Sequence, residues 1–165
     1  MGYDGRAVAN YVLDTCSVSG CEVTNLSLQK IIFFCHAWCL GRLKRPLIRH
    51  EFEAWKYGPV LQYVYRDFSN FDSSPITSRA VGINPVTGSK DVVTADFDEE
   101  VLQLLAEVVG FYSRRTANQL VRLSHVPGGP WSTVWNDGAA LNPGMRIKNE
   151  LIESFYSDRA VPFTS

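Results

Sequence analysis

The chain has 165 residues, of which 45% are hydrophobic and 20% are charged, and its formal net charge is −1. This length and composition indicate one soluble globular domain with a sizeable core. A nearly neutral chain has no strong overall field to attract nucleic acid or an acidic membrane surface. No apolar run approaches the ~20 residues of a membrane span, and the N-terminus has no secretory signal, so we expect a cytoplasmic protein with no membrane partner.

Two helices are predicted in the first part of the chain. Apolar residues recur at helical spacing over residues 4–16, and Gly20 is a suitable left-handed terminator. A second helix is opened by Thr24 or Asn25, with Ser27 as a competing cap, and ends just before Pro46. Apolar residues cover more than half of the circumference of this second helix, which indicates that it lies at the centre of the fold.

The middle of the chain contains a turn and a change of period. Gly58-Pro59 predicts a turn, with Pro59 as the first residue of a third helix. Further on, β-branched runs flank an Asn-, Pro- and Gly-rich link. This pattern predicts one β-hairpin at about residues 76–95.

Caps and helix breakers predict the remaining helices. Their predicted starts are Asp96 or Asp98, Thr116, Pro130 and Asn142-Pro143. The last helix is expected from Met145 to about Tyr156, followed by a loose tail over residues 158–165. The predicted fold class is therefore mainly α: a compact single-domain bundle of about six or seven helices over residues 1–157, with one inserted β-hairpin.

The sequence does not match the usual motifs for binding metals, phosphate or cofactors. The chain has four cysteines, which are Cys16, Cys21, Cys35 and Cys39. Their spacing lacks the tight C-x2-C knuckles of zinc sites, and buried free cysteine behaves as a small hydrophobic residue. Neither a phosphate-binding loop nor a dinucleotide fingerprint occurs. We therefore expect no metal and no cofactor.

His125 is the histidine with the clearest alternative role. It follows a helix and precedes Gly-Gly-Pro, where it fits either a polar helix-capping residue or the base of a hydrolase acting with a Cys or Ser. No G-x-S-x-G nucleophile elbow accompanies it. We expect no catalytic residues and no enzymatic activity, and a hydrolase using His125 stays as an alternative.

A basic patch follows the central helix and gives a second alternative. Its members are Arg42, Lys44, Arg45, Arg49 and His50. Such a patch could contact phosphate, but basic residues at a helix C-terminus ordinarily complement the helix dipole. We do not expect a nucleic-acid partner, and a nucleic-acid-binding regulator stays as the alternative.

Three motifs of the chain are specific in combination: Leu-Gln-Lys in the second helix, the string W-K-Y-G-P and a downstream L-S-H…P-W element. The residues concerned are Leu28, Gln29, Lys30, Trp55, Gly58, Pro59, His125, Pro130 and Trp131. Together these motifs resemble the Panacea domain, the group of SocA-like antitoxins and GepA-like phage-associated proteins. We expect these residues to be structural, because the family has no established catalytic residues to transfer.

The resemblance implies an antitoxin of a bacterial or prophage toxin–antitoxin module. Such a protein neutralises the cognate toxin by direct contact, and the SocA-like branch is associated with delivering its toxin to the ClpXP protease as an adaptor. The surface that binds the toxin is expected on exposed edges of residues 26–68, which contain the first two motifs, and on the hairpin. The predicted partner-binding residues are Lys56, Tyr57, Tyr63 and Arg79.

Overall fold

The computed structural model describes residues 2–136 and 145–159. In these ranges the helices are α1 (Gly5–Val18), α2 (Asn25–Leu43), α3 (Gln62–Asp67), α4 (Glu99–Tyr112), α5 (Ala117–Ser124), α6 (Pro130–Asn136) and α7 (Asn149–Ser157), with a 3-10 turn at Ser69–Phe71. The strands are β1 (Phe52–Trp55), β2 (Gly58–Val60), β3 (Val81–Ile83), β4 (Lys90–Val92) and β5 (Arg146–Ile147). The prediction of a mainly α, compact single domain is confirmed.

Helix α2 is the centre of the molecule. Every residue from Leu28 to Gly41 is buried, so the helix has no solvent-facing stripe over this length. Helices α1, α4, α5 and α7 pack around it. A helix that is apolar on all sides can be stable in water only when neighbours cover it completely. The central position predicted for this helix is therefore confirmed.

The ends of α1 and α2 follow from local sequence. Gly20 follows α1 with a φ of +76°, as predicted for a left-handed terminator. Thr24 caps α2, and its side chain accepts a hydrogen bond from the backbone N–H of Ser27. Ser27 Oγ accepts in return from the Thr24 N–H at 3.0 Å, so Ser27 completes a reciprocal capping box instead of competing as the cap. Lys44 ends α2 in the left-handed region.

The sheet β2-β1-β5 was not predicted. Strand β1 lies in the middle and pairs antiparallel with both neighbours, with Trp55 opposite Gly58 and Phe52 opposite Ile147. The expectation that Pro59 begins a helix is wrong, because Pro59 lies in β2 opposite Ala54. Strand β2 is an edge strand, where a proline without an N–H is tolerated. Helix α3 begins only at Gln62.

The predicted start of the last helix is also wrong. Arg146 and Ile147 form strand β5, which adds to the free edge of β1, and α7 begins at Asn149. The Asn149 N–H donates to Glu51 Oε2 at 3.2 Å, which ties the start of α7 to the residue before β1. The predicted cap at Asn142-Pro143 and most of the predicted tail lie outside the described residues.

The β-hairpin, in contrast, was predicted correctly and is only shorter than expected. Strands β3 and β4 pair antiparallel, with Val81 opposite Val92. The side chains of Asn10 on α1 and the backbone of Ala80 exchange two hydrogen bonds of 2.9 Å, which attach the hairpin to the helical body. Its outer face carries exposed apolar residues, including Ile83 and Val86.

The C-terminal half of α2 is covered by α7 and by the loop before β1. His36 is fully buried, and its Nδ1 accepts the Ile48 N–H at 3.2 Å while its Nε2 donates to Asn149 Oδ1 at 2.9 Å. Gly41 lies so close to α7 that an added Cβ would stand 2.9 Å from the backbone oxygen of Tyr156. These contacts hold α2 and α7 at a separation that a larger residue than Gly41 would prevent.

Candidate functional site

The motif residues of α2 meet the β1–β2 hairpin, whose connection we call the motif turn (Trp55, Lys56, Tyr57 and Gly58). Gly58 has a φ of +119°, and an added Cβ would lie 2.6 Å from Lys30 Cε and 2.8 Å from Ser124 Oγ. Only glycine satisfies both the backbone conformation and this close approach. The motif turn is therefore shaped to fit over the Lys30 side chain.

Lys30 reaches the motif turn from the middle of α2. Its side chain is fully buried, and Nζ donates a hydrogen bond to the Pro59 carbonyl at 2.9 Å. No carboxylate among the described residues forms an ion pair with this amine. Burial lowers the pKa of Lys30 from 10.5 to about 7, because a charged amine is poorly solvated inside the protein.

Gln29 connects the same part of α2 to the residues after β2. Gln29 Oε1 accepts the Leu61 N–H at 2.9 Å, and Gln29 Nε2 donates to Asn25 Oδ1 at 3.1 Å. Asn25 in turn donates to the Tyr65 carbonyl at 3.0 Å. Leu28 is buried in the core. The Leu-Gln-Lys motif thus combines one core residue with two side chains that hold the β1–β2 hairpin and α3.

His125 and Trp131 support the motif turn from the other side. The ring of His125, which ends α5, stacks on Trp131 with centroids 3.6 Å apart, and Trp131 Nε1 donates to the Trp55 carbonyl at 2.7 Å. His125 Nε2 is buried without a hydrogen-bond partner. Burial and, to a smaller extent, the charge of Lys30 lower the pKa of His125, while a hydrogen bond with the backbone of Tyr57 acts in the opposite direction.

A cavity of about 440 Å³ opens beside the motif turn, and we call it the Lys30 cavity. Lys30 forms part of its floor, and Lys56 and Asp72 are exposed residues of its lining. Its largely apolar walls are formed by Leu26, Trp55, Tyr57, Val60, Tyr65 and Ala117. The volume lies in the range of ~300–1,000 Å³ that is common for ligand pockets. The arrangement can bind an apolar group, with basic groups beneath it and at its edge.

A comparison with protein families now identifies the group to which this structure belongs. Residues 28–132 match the family model described as "Antitoxin SocA-like, Panacea domain". The chain belongs to the SocA-like, Panacea-domain family. Antitoxin SocA of Caulobacter vibrioides (strain NA1000 / CB15N) is 38% identical over 151 residues, which cover 91% of this chain and 80% of the relative. No solved structure matches the chain significantly.

The family motifs predicted from the sequence come together around the motif turn. Leu28, Gln29 and Lys30 approach from α2, and His125 and Trp131 approach from α5 and α6. Pro130 is the first residue of α6, as predicted. What the sequence did not reveal is the cavity that these contacts leave beside the turn. A local sign of it was a lysine within a helix that is buried on all sides.

The four predicted partner-binding residues occupy different surroundings. Lys56 and Tyr57 lie together on the motif turn, where the side chain of Tyr57 is 58% exposed. Tyr63 is half-buried, and its hydroxyl accepts the Gly5 N–H at 2.7 Å. Arg79 forms an ion pair with Asp14 of α1 at 2.7 Å. Tyr63 and Arg79 are thus tied to α1, and partner binding by these two residues stays a prediction.

Two members of the basic patch are paired with acidic residues of α4 and its cap. Arg45 forms two hydrogen bonds with the Asp98 carboxylate, at 2.7 and 3.0 Å, and Arg42 contacts Glu107 at 3.1 Å. Lys44 donates to the Ser157 hydroxyl. These partners account for Arg42, Lys44 and Arg45 without a nucleic acid.

The surroundings of His125 do not contain the geometry of a hydrolase in the described part of the chain. Its unpartnered Nε2 bonds no hydroxyl or thiol, and the adjacent Ser124 hydroxyl donates to the Val121 carbonyl instead. The cysteines are free, and burial raises the pKa values of Cys16 to about 11 and of Cys39 to about 12. Thiols held in the protonated state are poor nucleophiles.

None of the helices in residues 2–136 and 145–159 has the length and hydrophobicity needed to cross a membrane. Over the same ranges, no group of three or more His, Cys, Asp or Glu side chains is arranged to hold a metal ion.

Proposed function

We propose that this protein is an antitoxin that neutralises a cognate protein toxin by binding it directly. The observation that carries the proposal is the 38% identity to antitoxin SocA across 91% of the chain. Neutralisation by contact requires a surface and no reacting group. A standard interface buries ~800 Å² on each partner, which is enough to cover the working surface of a toxin.

We place the toxin-binding surface at the motif turn and the rim of the Lys30 cavity. Tyr57 is 58% exposed and Tyr65 is 36% exposed, although both are large aromatic residues. Tyrosine beside an apolar pocket is typical of residues that dominate binding energy at interfaces. Lys56 lies over the Tyr57 ring, with Nζ 5.3 Å from the ring centroid, and adds a cation to this surface.

The hairpin β3–β4 is proposed as a second contact with the toxin. Val81, Ile83 and Val92 share its outer face, and they are 47%, 71% and 48% exposed, respectively. Arg79 lies just before the hairpin and pairs with Asp14, so it can contribute to the same contact through its exposed edge. Tyr63 also stays a proposed toxin contact. The observation that supports it is the contact between its ring and the ring of His50.

The proposed antitoxin acts in the cytoplasm without catalysing a reaction. In a further role it would deliver the bound toxin to the ClpXP protease. Binding to such an adaptor raises the local concentration of the toxin at the protease, so destruction would follow without new toxin–protease contacts. The half-life of the toxin tests this role: it should lengthen in cells that lack ClpX, and an unchanged half-life would remove the adaptor role while leaving neutralisation intact.

Co-expression with the product of the adjacent gene tests the antitoxin function. We expect restored growth and co-purification of the two proteins. Tyr57→Ala should weaken both, whereas Val18→Ala, at a residue that is 91% exposed on the end of α1, should leave them unchanged. If neither rescue nor co-purification is observed, the protein is not the antitoxin of that gene product.

A further inference from the structure

The Lys30 amine is an unusual group for a protein interior. Buried cations are normally paired with carboxylates, because removing a charge from water without a partner is costly. Among the described side chains Lys30 has no carboxylate partner, and its amine donates a single hydrogen bond, to the Pro59 carbonyl. An ammonium group has three N–H donors, so two remain available.

The position of this amine connects it to the Lys30 cavity. The aliphatic part of the side chain packs under Gly58, and Lys30 contributes to the cavity floor. His125 Nε2 is buried without a partner, and His125 is close enough for the charge of Lys30 to lower its pKa. Lys30 therefore lies near a residue with an unpartnered ring nitrogen and also lines an apolar cavity that reaches the surface.

The other charged and titratable groups around the cavity leave this amine as its main buried charge. From the motif turn come Lys56 and the hydroxyl of Tyr57, and from α3 comes the hydroxyl of Tyr65. Asp72 follows the 3-10 turn and is exposed. Water screens the charges of Lys56 and Asp72, which have opposite signs. The floor is thus complementary to an anion and the walls to an apolar group.

We propose that the Lys30 cavity binds an apolar group that ends in a carboxylate, and that this carboxylate pairs with the Lys30 amine. This inference rests on the proposed antitoxin function for its occupant, which is an acidic side chain or the C-terminal carboxylate of the toxin, flanked by apolar atoms. Lys30 has no exposed surface in the free protein, so this pairing requires the exposed part of the motif turn, Lys56 and Tyr57, to move aside when the group enters.

Binding of such a group takes up a proton. In the free protein the pKa of Lys30 is about 7, and a carboxylate beside the amine raises this pKa because it stabilises the charged form. Above about pH 7 the free amine is mostly neutral and must be protonated on binding. Affinity for a carboxylate should therefore fall as the pH rises, by up to about tenfold per pH unit.

The site can be tested on the free chain with a small acid. We suggest 4-phenylbutyrate, with 4-phenylbutyramide as the uncharged control, and NMR shifts or Trp fluorescence as the readout, since Trp55 lines the cavity. The acid should bind roughly tenfold more tightly than the amide near pH 6, because charge-assisted hydrogen bonds are stronger than neutral ones. This preference should disappear near pH 9. Equal affinities at both pH values would overturn the proposal.

Two variants distinguish the contribution of the buried Lys30 amine to acid binding from that of the exposed Lys56 amine. Lys30→Met keeps the length of the side chain and should abolish the preference for the acid while retaining binding of the amide. Lys56→Met removes the exposed cation of the rim and should retain the preference and its pH dependence. If Lys56→Met, and not Lys30→Met, removes the preference, the proposal is wrong. Should Lys30→Met fail to fold, the pH dependence of the unmodified chain decides the question.

Displacement by the toxin tests the occupant separately. If the co-purified complex no longer binds 4-phenylbutyrate, and neutralising the acidic residue of the toxin seated there restores access, the proposal is supported. If the complex forms and still binds the acid unchanged, the toxin does not use the cavity, and the inference fails while the antitoxin function stands. Failure of the complex to form would instead overturn the proposed function and the occupant together.

Discussion

Helix α2 buries two basic side chains, His36 and Lys30, and their hydrogen bonding and surroundings differ. At His36, both ring nitrogens are hydrogen-bonded, to the Ile48 N–H and to Asn149 Oδ1, and the surrounding elements close the helix completely. At Lys30, the amine has one backbone acceptor and borders a cavity of about 440 Å³. A fully hydrogen-bonded group such as His36 fixes the architecture. The partly satisfied amine of Lys30 is the group to which we propose that a ligand binds.

The largest effect is expected from breaking the fit between the motif turn and Lys30. Gly58→Ala places a Cβ against Lys30 Cε and Ser124 Oγ in a backbone conformation unsuited to alanine, so it should lower the free energy of unfolding by about 3 kcal/mol. Chemical denaturation measures this change. Gly88→Ala is the matched control, because Gly88 also has a positive φ but open space around it, and should cost only about 1 kcal/mol.

The direct comparison replaces each basic residue by an apolar one of similar size. His36→Leu leaves the Ile48 N–H and the Asn149 amide without their partners, and should destabilise the protein by about 2–3 kcal/mol. Lys30→Met removes an amine that is costly to bury, and its effect should stay within about 1 kcal/mol. Thermal or urea unfolding near pH 7 measures both. Equal losses for the two variants would show that Lys30 is as architectural as His36.

The pH dependence of stability should separate the two groups. Burial lowers the pKa of His36 to about 4, so between about pH 4 and 6.5 only the unfolded state binds this proton, and stability falls on acidification. For Lys30 the corresponding window begins at about pH 7, and stability should rise with pH above it. Above about pH 9 the buried thiols, whose pKa values are raised, act in the opposite direction.

Urea unfolding at a series of pH values checks these slopes, each of which should be about 1 kcal/mol per pH unit. His36→Leu should reduce the acidic slope, and Lys30→Met should remove the rise between about pH 7 and 9. If stability still rises equally over this pH range in Lys30→Met, another titratable group causes the rise.

The smallest effect is expected from the hydroxyl of Tyr63, which is already hydrogen-bonded inside the protein. Tyr63→Phe removes the hydrogen bond from the Gly5 N–H and should lower stability by about 1 kcal/mol. Affinity for the toxin should remain unchanged, and a co-purification assay at limiting concentration measures it. A variant of normal stability but reduced affinity would show that the Tyr63 hydroxyl itself contacts the toxin.

Features controlled by neighbouring residues were predictable from the sequence. The Thr116 capping box was predicted, and Thr24 and Asp98 were each among the alternatives predicted as caps, because a cap is a contact between residues three apart. The burial of α2 was equally predictable from its lack of a polar face. The β3–β4 hairpin was recognised because its turn residues lie within the same short segment.

Features that depend on distant residues were not predictable in this way. Pro59 suggested a helix start, but its strand conformation is fixed by pairing with β1 and by the Lys30 amine, which comes from a residue 29 positions earlier. Strand β5 exists because β1 offers a free edge to Ile147. The cavity was missed for the same reason, since its walls come from α2, the motif turn, α3 and the start of α5.

The position of α7 has a consequence for how the chain is made. Residues of α2 leave the ribosome early, but α7, which covers them, and β5, which completes the sheet, come from the last described part of the chain. At roughly 5–20 residues per second, this central, buried helix remains without its last cover for several seconds of synthesis. A transcript or chain broken before Asn149 therefore yields a product with α2 uncovered, which proteases and chaperones can distinguish from the finished molecule.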